Sequence, residues 1–256
     1  MKGFGLAPDF HGSPPIEKEE ARDALARSLD RLESLQERLY AERKRSVLVI
    51  LQGMDAAGKD GTIKSTAGAM NPLGIRTVAF KEPSLEELAH DFLWRVHRQA
   101  PKKGECVFFN RSHYEDVLIG RVDRPVPARV WRRRYDQINA FEKLLAENGT
   151  AIVKFFLNIS RREQRARLQA RVEDPTKRWK FSLDDLRKRR QWGAYQRAYR
   201  DVLDRCDTRW APWTVVPADH KWYRNLVVAR ELVHVLEKLN PRYPKTDFDP
   251  RKLRVR

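Results

Sequence analysis

Ten residues constrain this chain more than any other feature: Gly53-Met54-Asp55-Ala56-Ala57-Gly58-Lys59-Asp60-Gly61-Thr62, set directly after the apolar run from Val47 to Leu51. A short run rich in β-branched residues reads as a strand buried on both faces, here Ser46 to Gln52. A glycine-bearing turn between such a strand and a helix, here Lys59 to about Met70, is the setting of a phosphate-binding loop. Glycines let the backbone curl so that successive N–H groups point inward. The helix N-terminus adds partial positive charge and Lys59 adds a full one. The expected phosphate-binding set is Gly53, Ala56, Ala57, Gly58, Lys59, Asp60, Gly61 and Thr62. The match departs at one position: the Ser or Thr that ordinarily follows Gly-Lys is Asp60, and Thr62 comes two residues later. A carboxylate inside an anion-binding loop repels phosphate unless a cation intervenes, so Asp55 is expected to hold Mg²⁺, directly or through water.

Charge narrows the ligand class. The 256 residues carry 52 Lys and Arg against 35 Asp and Glu, a net +17, which attracts polyanions without naming one. Between Arg161 and Arg200 the sequence holds fourteen Lys and Arg against five Asp and Glu, so a net +9 falls in forty residues. A nucleic-acid-binding module is compatible with that charge, but the chain has neither zinc-finger spacing nor an aromatic RNA-binding signature. No apolar run is long enough to span a bilayer, and Met1 to Pro15 lacks the apolar core of a signal peptide. A cytoplasmic location is expected, with Cys106 and Cys206 as reduced thiols.

Periodicity supplies the frame. Met1 to Pro15 reads as a mobile arm and Glu17 to Lys44 as a helix, with leucines at 25, 29, 32, 35 and 39. Further strands are expected at Arg76–Phe80, Glu105–Asn110, Ala151–Leu157 and Trp213–Val216. Helices are expected at Ser84–Arg98, with Ser84 and Glu87 as a capping box, and at Ala128–Asn148, ended by Gly149. Two basic helices, Arg161–Val172 and Leu183–Leu203, flank the breaker Asp174-Pro175, and Trp222–Leu239 closes the pattern. Alternating strands and helices give an α/β fold, a parallel five-stranded sheet covered on both faces, in one domain spanning residues 1–256. Trp94, Trp131, Trp179, Trp192 and Trp222 read mostly as core.

Ligands of open α/β sheets gather at the carboxyl ends of strands, so the polar run Asn110-Arg111-Ser112-His113-Tyr114-Glu115-Asp116 is expected beside the loop. Glu115 and Asp116 are candidates to hold Mg²⁺, to position a nucleotide, or simply to complement a helix dipole. Ser112 and His113 are adjacent, a poor geometry for a nucleophile and its base.

At these residues the chain resembles polyphosphate kinase family 2. The carriers are residues 53–62, Phe80-Lys81-Glu82-Pro83, Asp91-Phe92-Leu93-Trp94-Arg95, Phe109 to Asp116, Trp179-Lys180-Phe181, Ala211-Pro212-Trp213 and Pro217 to Asn225. The resemblance spans about Leu32 to Leu239. It implies a three-layer α/β/α, thymidylate-kinase-like P-loop kinase fold with a helical lid in the basic region of about 161–200. It also implies polyphosphate as phosphoryl donor, adenine nucleotides as partners, and Mg²⁺ as cofactor, with Mn²⁺ as the alternative. Asp55, Lys59, Arg111 and Asp116 match catalytic positions, Asp55 and Asp116 being the implied metal pair. Lys81, Pro83, Asn110, Arg111 and Glu115 are expected at the nucleotide, and Asn110 with Glu115 resembles the class that phosphorylates both AMP and ADP. Arg161, Arg165, Arg167 and Arg171 are expected to reach polyphosphate from the lid, Arg165 with a catalytic role. A homo-oligomer, dimer or tetramer, is expected, without a nucleic-acid or membrane partner. The rival reading is an ATP-dependent nucleoside monophosphate kinase, whose loop would ordinarily carry a hydroxyl where Asp60 stands.

Overall fold

Five apolar runs form one sheet: β1 Ser46–Gln52, β2 Ile75–Ala79, β3 Cys106–Asn110, β4 Thr150–Asn158 and β5 Trp213–Pro217. All pair in parallel, in the order β2-β3-β1-β4-β5. The computed structural model describes residues 14–123, 127–249 and 252–254, so most of the expected N-terminal arm lies outside the described residues. β1 sits at the centre, with Val49 opposite Phe108 on β3 and Val153 on β4, and every one of its residues is buried. That explains its unbroken apolar sequence: both faces of a central parallel strand are covered by helices.

The helices are α1 Lys18–Glu42, α2 Lys59–Ala67, α3 Leu85–Ala89, α4 Trp94–His97, α5 Glu115–Val122, α6 Ala128–Glu147, α7 Arg161–Glu173, α8 Leu183–Arg190, α9 Trp192–Cys206 and α10 Lys221–Leu239. α10 packs on β4 and β5 together with α1 and α2, whereas α6 packs on β4 together with α5 and α9. The result is the three-layer arrangement expected. Among the described residues no helix is long and apolar enough to cross a membrane, and Cys106 and Cys206 are free and buried.

Two expected helices are broken. The Ser84–Arg98 run starts with the anticipated capping box but splits into α3 and α4. The Asp91 carboxylate accepts from Leu93 N at 2.9 Å, a local turn that competes with helix. The His90 ring stacks on Trp94 beyond the break, 4.0 Å between centroids. Leu183–Leu203 likewise divides at Gln191, between α8 and α9. α5, not placed from periodicity, begins at Glu115.

The tryptophans need correction. Trp94, Trp131, Trp192 and Trp222 are half-buried, but Trp179 is 78% exposed. It lies on a 3₁₀ turn, Arg178–Lys180, held by its own indole N–H donating to Thr176 O at 3.0 Å.

Candidate active site

The loop leaves β1 at Gly53, and its backbone is wound by residues with positive φ: Gly53, Ala56 (64°) and Gly58 (106°). Gly58 cannot be replaced without strain, because its positive φ is one that side-chain-bearing residues rarely adopt, and a Cβ there would also lie 1.9 Å from the Arg224 guanidinium. Two arginines hold the loop from outside. Arg167 Nη1 donates to Ala56 O and Ala57 O, both at 3.1 Å, and Arg224 Nη1 donates to Ala57 O at 3.2 Å. The Ala57 N–H closes the turn on Met54 O at 3.0 Å, and the loop's other amides are the ones placed to meet an anion.

A cleft of about 580 Å³ opens over the loop. Ala56, Gly58, Lys59, Asp60 and Gly61 line it; Gly53, Ala57 and Thr62 do not. Ala57 and Thr62 are fully buried, and the Thr62 hydroxyl turns back to donate to Gly58 O at 3.1 Å. Lys59 is 8% exposed and its Nζ donates to Gly53 O at 2.7 Å. Burial pushes its ammonium down and Arg111 adds to this, while Asp55 and Glu115 oppose them.

Asp55 meets Arg111 Nη2 at 3.0 Å and Lys188 Nζ, from α8, at 3.7 Å. Burial works to raise its carboxyl, but Lys59, Arg111 and Lys188 hold it below the usual aspartate value. Arg111 has a left-handed backbone (φ 63°), a strained conformation fixed by its N–H donating to Leu51 O at 3.1 Å. Asp60, in the place of the usual hydroxyl, accepts from Asn110 Nδ2 at 2.7 Å, tying the loop's helix to the end of β3.

The rest of the expected set divides. Lys81, Asn110 and Arg111 line the cleft, and Pro83 does not. Lys81 is steadied by Arg95, which donates to its carbonyl at 3.0 Å, pairs with Glu87 and lies over Phe80. Arg167 and Arg171 line the cleft from α7. Arg161 and Arg165 do not: Arg165 faces a separate groove between α7 and α8, with Leu168, Phe181 and Arg189. The α7 helix turns these side chains to different sides, which spacing of four did not reveal. Asp116, the other expected metal partner, pairs with Arg134 of α6 at 3.2 Å and does not line the cleft. Glu115 is the acid that lies near Asp55, in a small cavity lined also by Arg111, Lys188 and Tyr199. Burial pushes its carboxyl up, against the pull of Arg111 and Lys59.

Sequence reasoning assigned no role to Lys177, Lys180, Lys188, Lys221 and Arg224. Lys188 approaches Asp55 and the other four line the cleft. The only signal for Lys221 and Arg224 was their place in the run from Pro217 to Asn225. Ser112 and His113 are not bonded to each other as a nucleophile and its base: Ser112 accepts from Gln52 and from Tyr114 N, and His113 is buried against Glu142 at 3.1 Å.

Comparisons with known proteins identify the family. The family model described as Polyphosphate kinase 2 (PPK2) matches residues 15–244. An AMP/ADP-polyphosphate phosphotransferase of Meiothermus ruber is 52% identical over 236 residues, 92% of this chain and 88% of the relative. An ADP-polyphosphate phosphotransferase of Rhodopseudomonas palustris is 43% identical, over 90% of this chain and 83% of the relative. The crystal structure of polyphosphate kinase 2 from Arthrobacter aurescens TC1 superposes with a TM-score of 0.94 at 45% identity, over 97% of this chain and 90% of that one. Loop, sheet order and whole-length similarity coincide, and the chain belongs to the polyphosphate kinase 2 family.

Proposed function

We propose that the protein transfers the terminal phosphoryl group of inorganic polyphosphate to AMP and to ADP, reversibly. The observation that carries this reading is the cleft's charge: nine Lys and Arg against three Asp among its lining residues, arranged around a phosphate-binding loop. So many cations exceed what one nucleotide's phosphates neutralise, and they match two polyanions brought end to end. The names of the relatives support the same substrates. Asp60 bonded to Asn110, in place of a loop hydroxyl, weighs against an ATP-dependent monophosphate kinase.

The chain's own groups account for transfer. Lys59 and the loop amides hold the donor's terminal phosphate, while Lys81, Asn110 and Arg111 hold the nucleotide across the ends of β2 and β3. The acceptor is a phosphate oxygen, ionised at neutral pH, so no general base is needed. Alignment and neutralisation do the rest, with Arg171 approaching from α7. Among the described residues no three His, Cys, Asp or Glu side chains cluster as a metal cage. Mg²⁺ needs no such cage, because it keeps its waters and takes one or two carboxylates plus substrate phosphates. Asp55 is the residue to hold it, with Glu115, which lines the same small cavity, as an outer partner. When bound, the ion would neutralise charge between donor and acceptor phosphates.

The experiment is purified protein with Mg²⁺ and AMP or ADP, supplied with either polyphosphate or ATP as donor, and the products separated. ADP and ATP formed from polyphosphate are expected. Transfer to AMP from ATP alone would overturn the proposal.

A further inference from the structure

We infer that Arg95 is a positioning residue for the nucleotide: from outside the cleft it grips the backbone of Lys81 and so sets the enzyme's affinity for its acceptor. The inference rests on the proposed function, in which Lys81 meets AMP or ADP.

The run Asp91-Phe92-Leu93-Trp94-Arg95 is among those that carry the family resemblance, yet none of its residues lines the cleft. Packing shows what it does instead. Arg95 is only 9% exposed, and Val96 beside it is buried in the main core, which gives α4 a fixed base. From that base the guanidinium bonds at both ends. Nη2 donates to Lys81 O and Nη1 donates to Glu87 Oε2, each at 3.0 Å. The guanidinium carbon lies over the Phe80 ring, 5.2 Å from its centroid. Phe80 in turn meets Phe109 of β3 edge-on, and its N–H donates to Asn110 O at 3.1 Å. The Glu87 carboxylate is itself held by the Ser84 N–H at 2.9 Å, as half of the α3 capping box. Ser84, Glu87 and Arg95 therefore form a clamp closed on Phe80 and Lys81, two residues of the cleft wall.

Lys81 depends on such a clamp. Its side chain is exposed, and its ammonium makes no hydrogen bond or ion pair among the described residues. No neighbour aims it, so its reach follows from where its backbone is placed. Fixing that backbone before the ligand arrives lowers the ordering cost of binding. A planar guanidinium suits this role, because it bonds two acceptors in fixed directions while lying on an aromatic face.

The test is Arg95→Met, which removes both bonds and keeps an apolar stem, combined with Lys81→Ala in a double-mutant cycle. The KM values for AMP and for polyphosphate are measured separately, with thermal melting alongside. Arg95→Met is expected to raise the KM for AMP about tenfold, roughly what one hydrogen bond of a charged group contributes. The KM for polyphosphate is expected to stay within about twofold. In the Lys81→Ala background the same substitution should change the AMP KM by less than about twofold, because Arg95 acts through Lys81. Arg95→Lys, whose ammonium is not a planar fork, should restore only part of the loss, to about threefold. If Arg95→Met does not fold, Glu87→Gln removes the clamp's negative charge instead and should raise the AMP KM alone by about threefold. An unchanged AMP KM, an equal rise for both substrates, or additive effects in the cycle would overturn the inference. Failure of the underlying function looks different: the unsubstituted protein would then form no ADP from AMP and polyphosphate, and the inference would fall with it.

Discussion

Asp55 is an anion set into an anion-binding loop, and three elements supply the cations that make this tolerable: Lys59, Arg111 and Lys188. Removing its charge while keeping its shape isolates its role. Asp55→Asn is expected to lower turnover by about a hundredfold and to abolish most of the Mg²⁺ dependence, read from initial rates across a metal titration. Wild-type metal dependence in that variant would contradict the role. Arg165→Ala gives the opposite expectation: because Arg165 faces the groove between α7 and α8, turnover should stay within about twofold. Lys59, Asp55 and Arg111 were legible in the sequence because a loop and a strand end are local patterns. Arg224 was not, for it bonds to Ala57 from 167 residues away, and only packing decides such a pair. Asp116 and Glu115 are neighbours in sequence, and which one faces Asp55 depends on the orientation of α5, which their spacing does not reveal.

At the scale of elements, β4, α6, the start of α5 and the end of α9 are joined by buried charge. Lys154 of β4 donates to Glu142 of α6, to Tyr114 OH and to Cys206 O, each at 2.7 Å, and both charged side chains are fully buried. Tyr114 belongs to the segment that carries Arg111 and Glu115, so its bonds to Glu142 and Lys154 tie that segment to α6 and β4. Lys154→Met takes the ammonium from the buried Glu142 carboxylate, leaving it only His113 and Tyr114, and should cost about 3–5 kcal/mol in urea unfolding at neutral pH. Burial works to raise the Glu142 carboxyl, but Lys154 and then His113 hold it below its ordinary value. Its contribution is therefore present above the ordinary glutamate range and lost as pH falls through the depressed folded value. The gap between wild type and Lys154→Met should narrow on acidification; a constant gap would show that the pair carries no such linkage. Strand and helix positions were legible from periodicity, and the long helix ended by Gly149 has the expected left-handed glycine. The breaks at His90 and Gln191 were not, since each is set by a local turn or a capping geometry that hydrophobic spacing does not encode.

For the molecule as a whole, a net +17 has a destination: much of it converges on one cleft at the carboxyl edge of a parallel sheet. The sheet and its loop could be read from alternation and one motif, and the basic excess marked the helices that cover them. Which arginines look inward, and that α10 adds two cations to the lid's four, emerges only when distant segments pack. The account's central claim is that a cationic loop makes the end of one anionic chain attackable by another anion. The most direct test is the initial rate of ADP formation from AMP and long-chain polyphosphate in Lys59→Ala, alongside its thermal melting. The rate is predicted to fall by about a hundredfold or more with the fold retained; a folded variant that keeps its rate within about threefold of wild type would contradict the account.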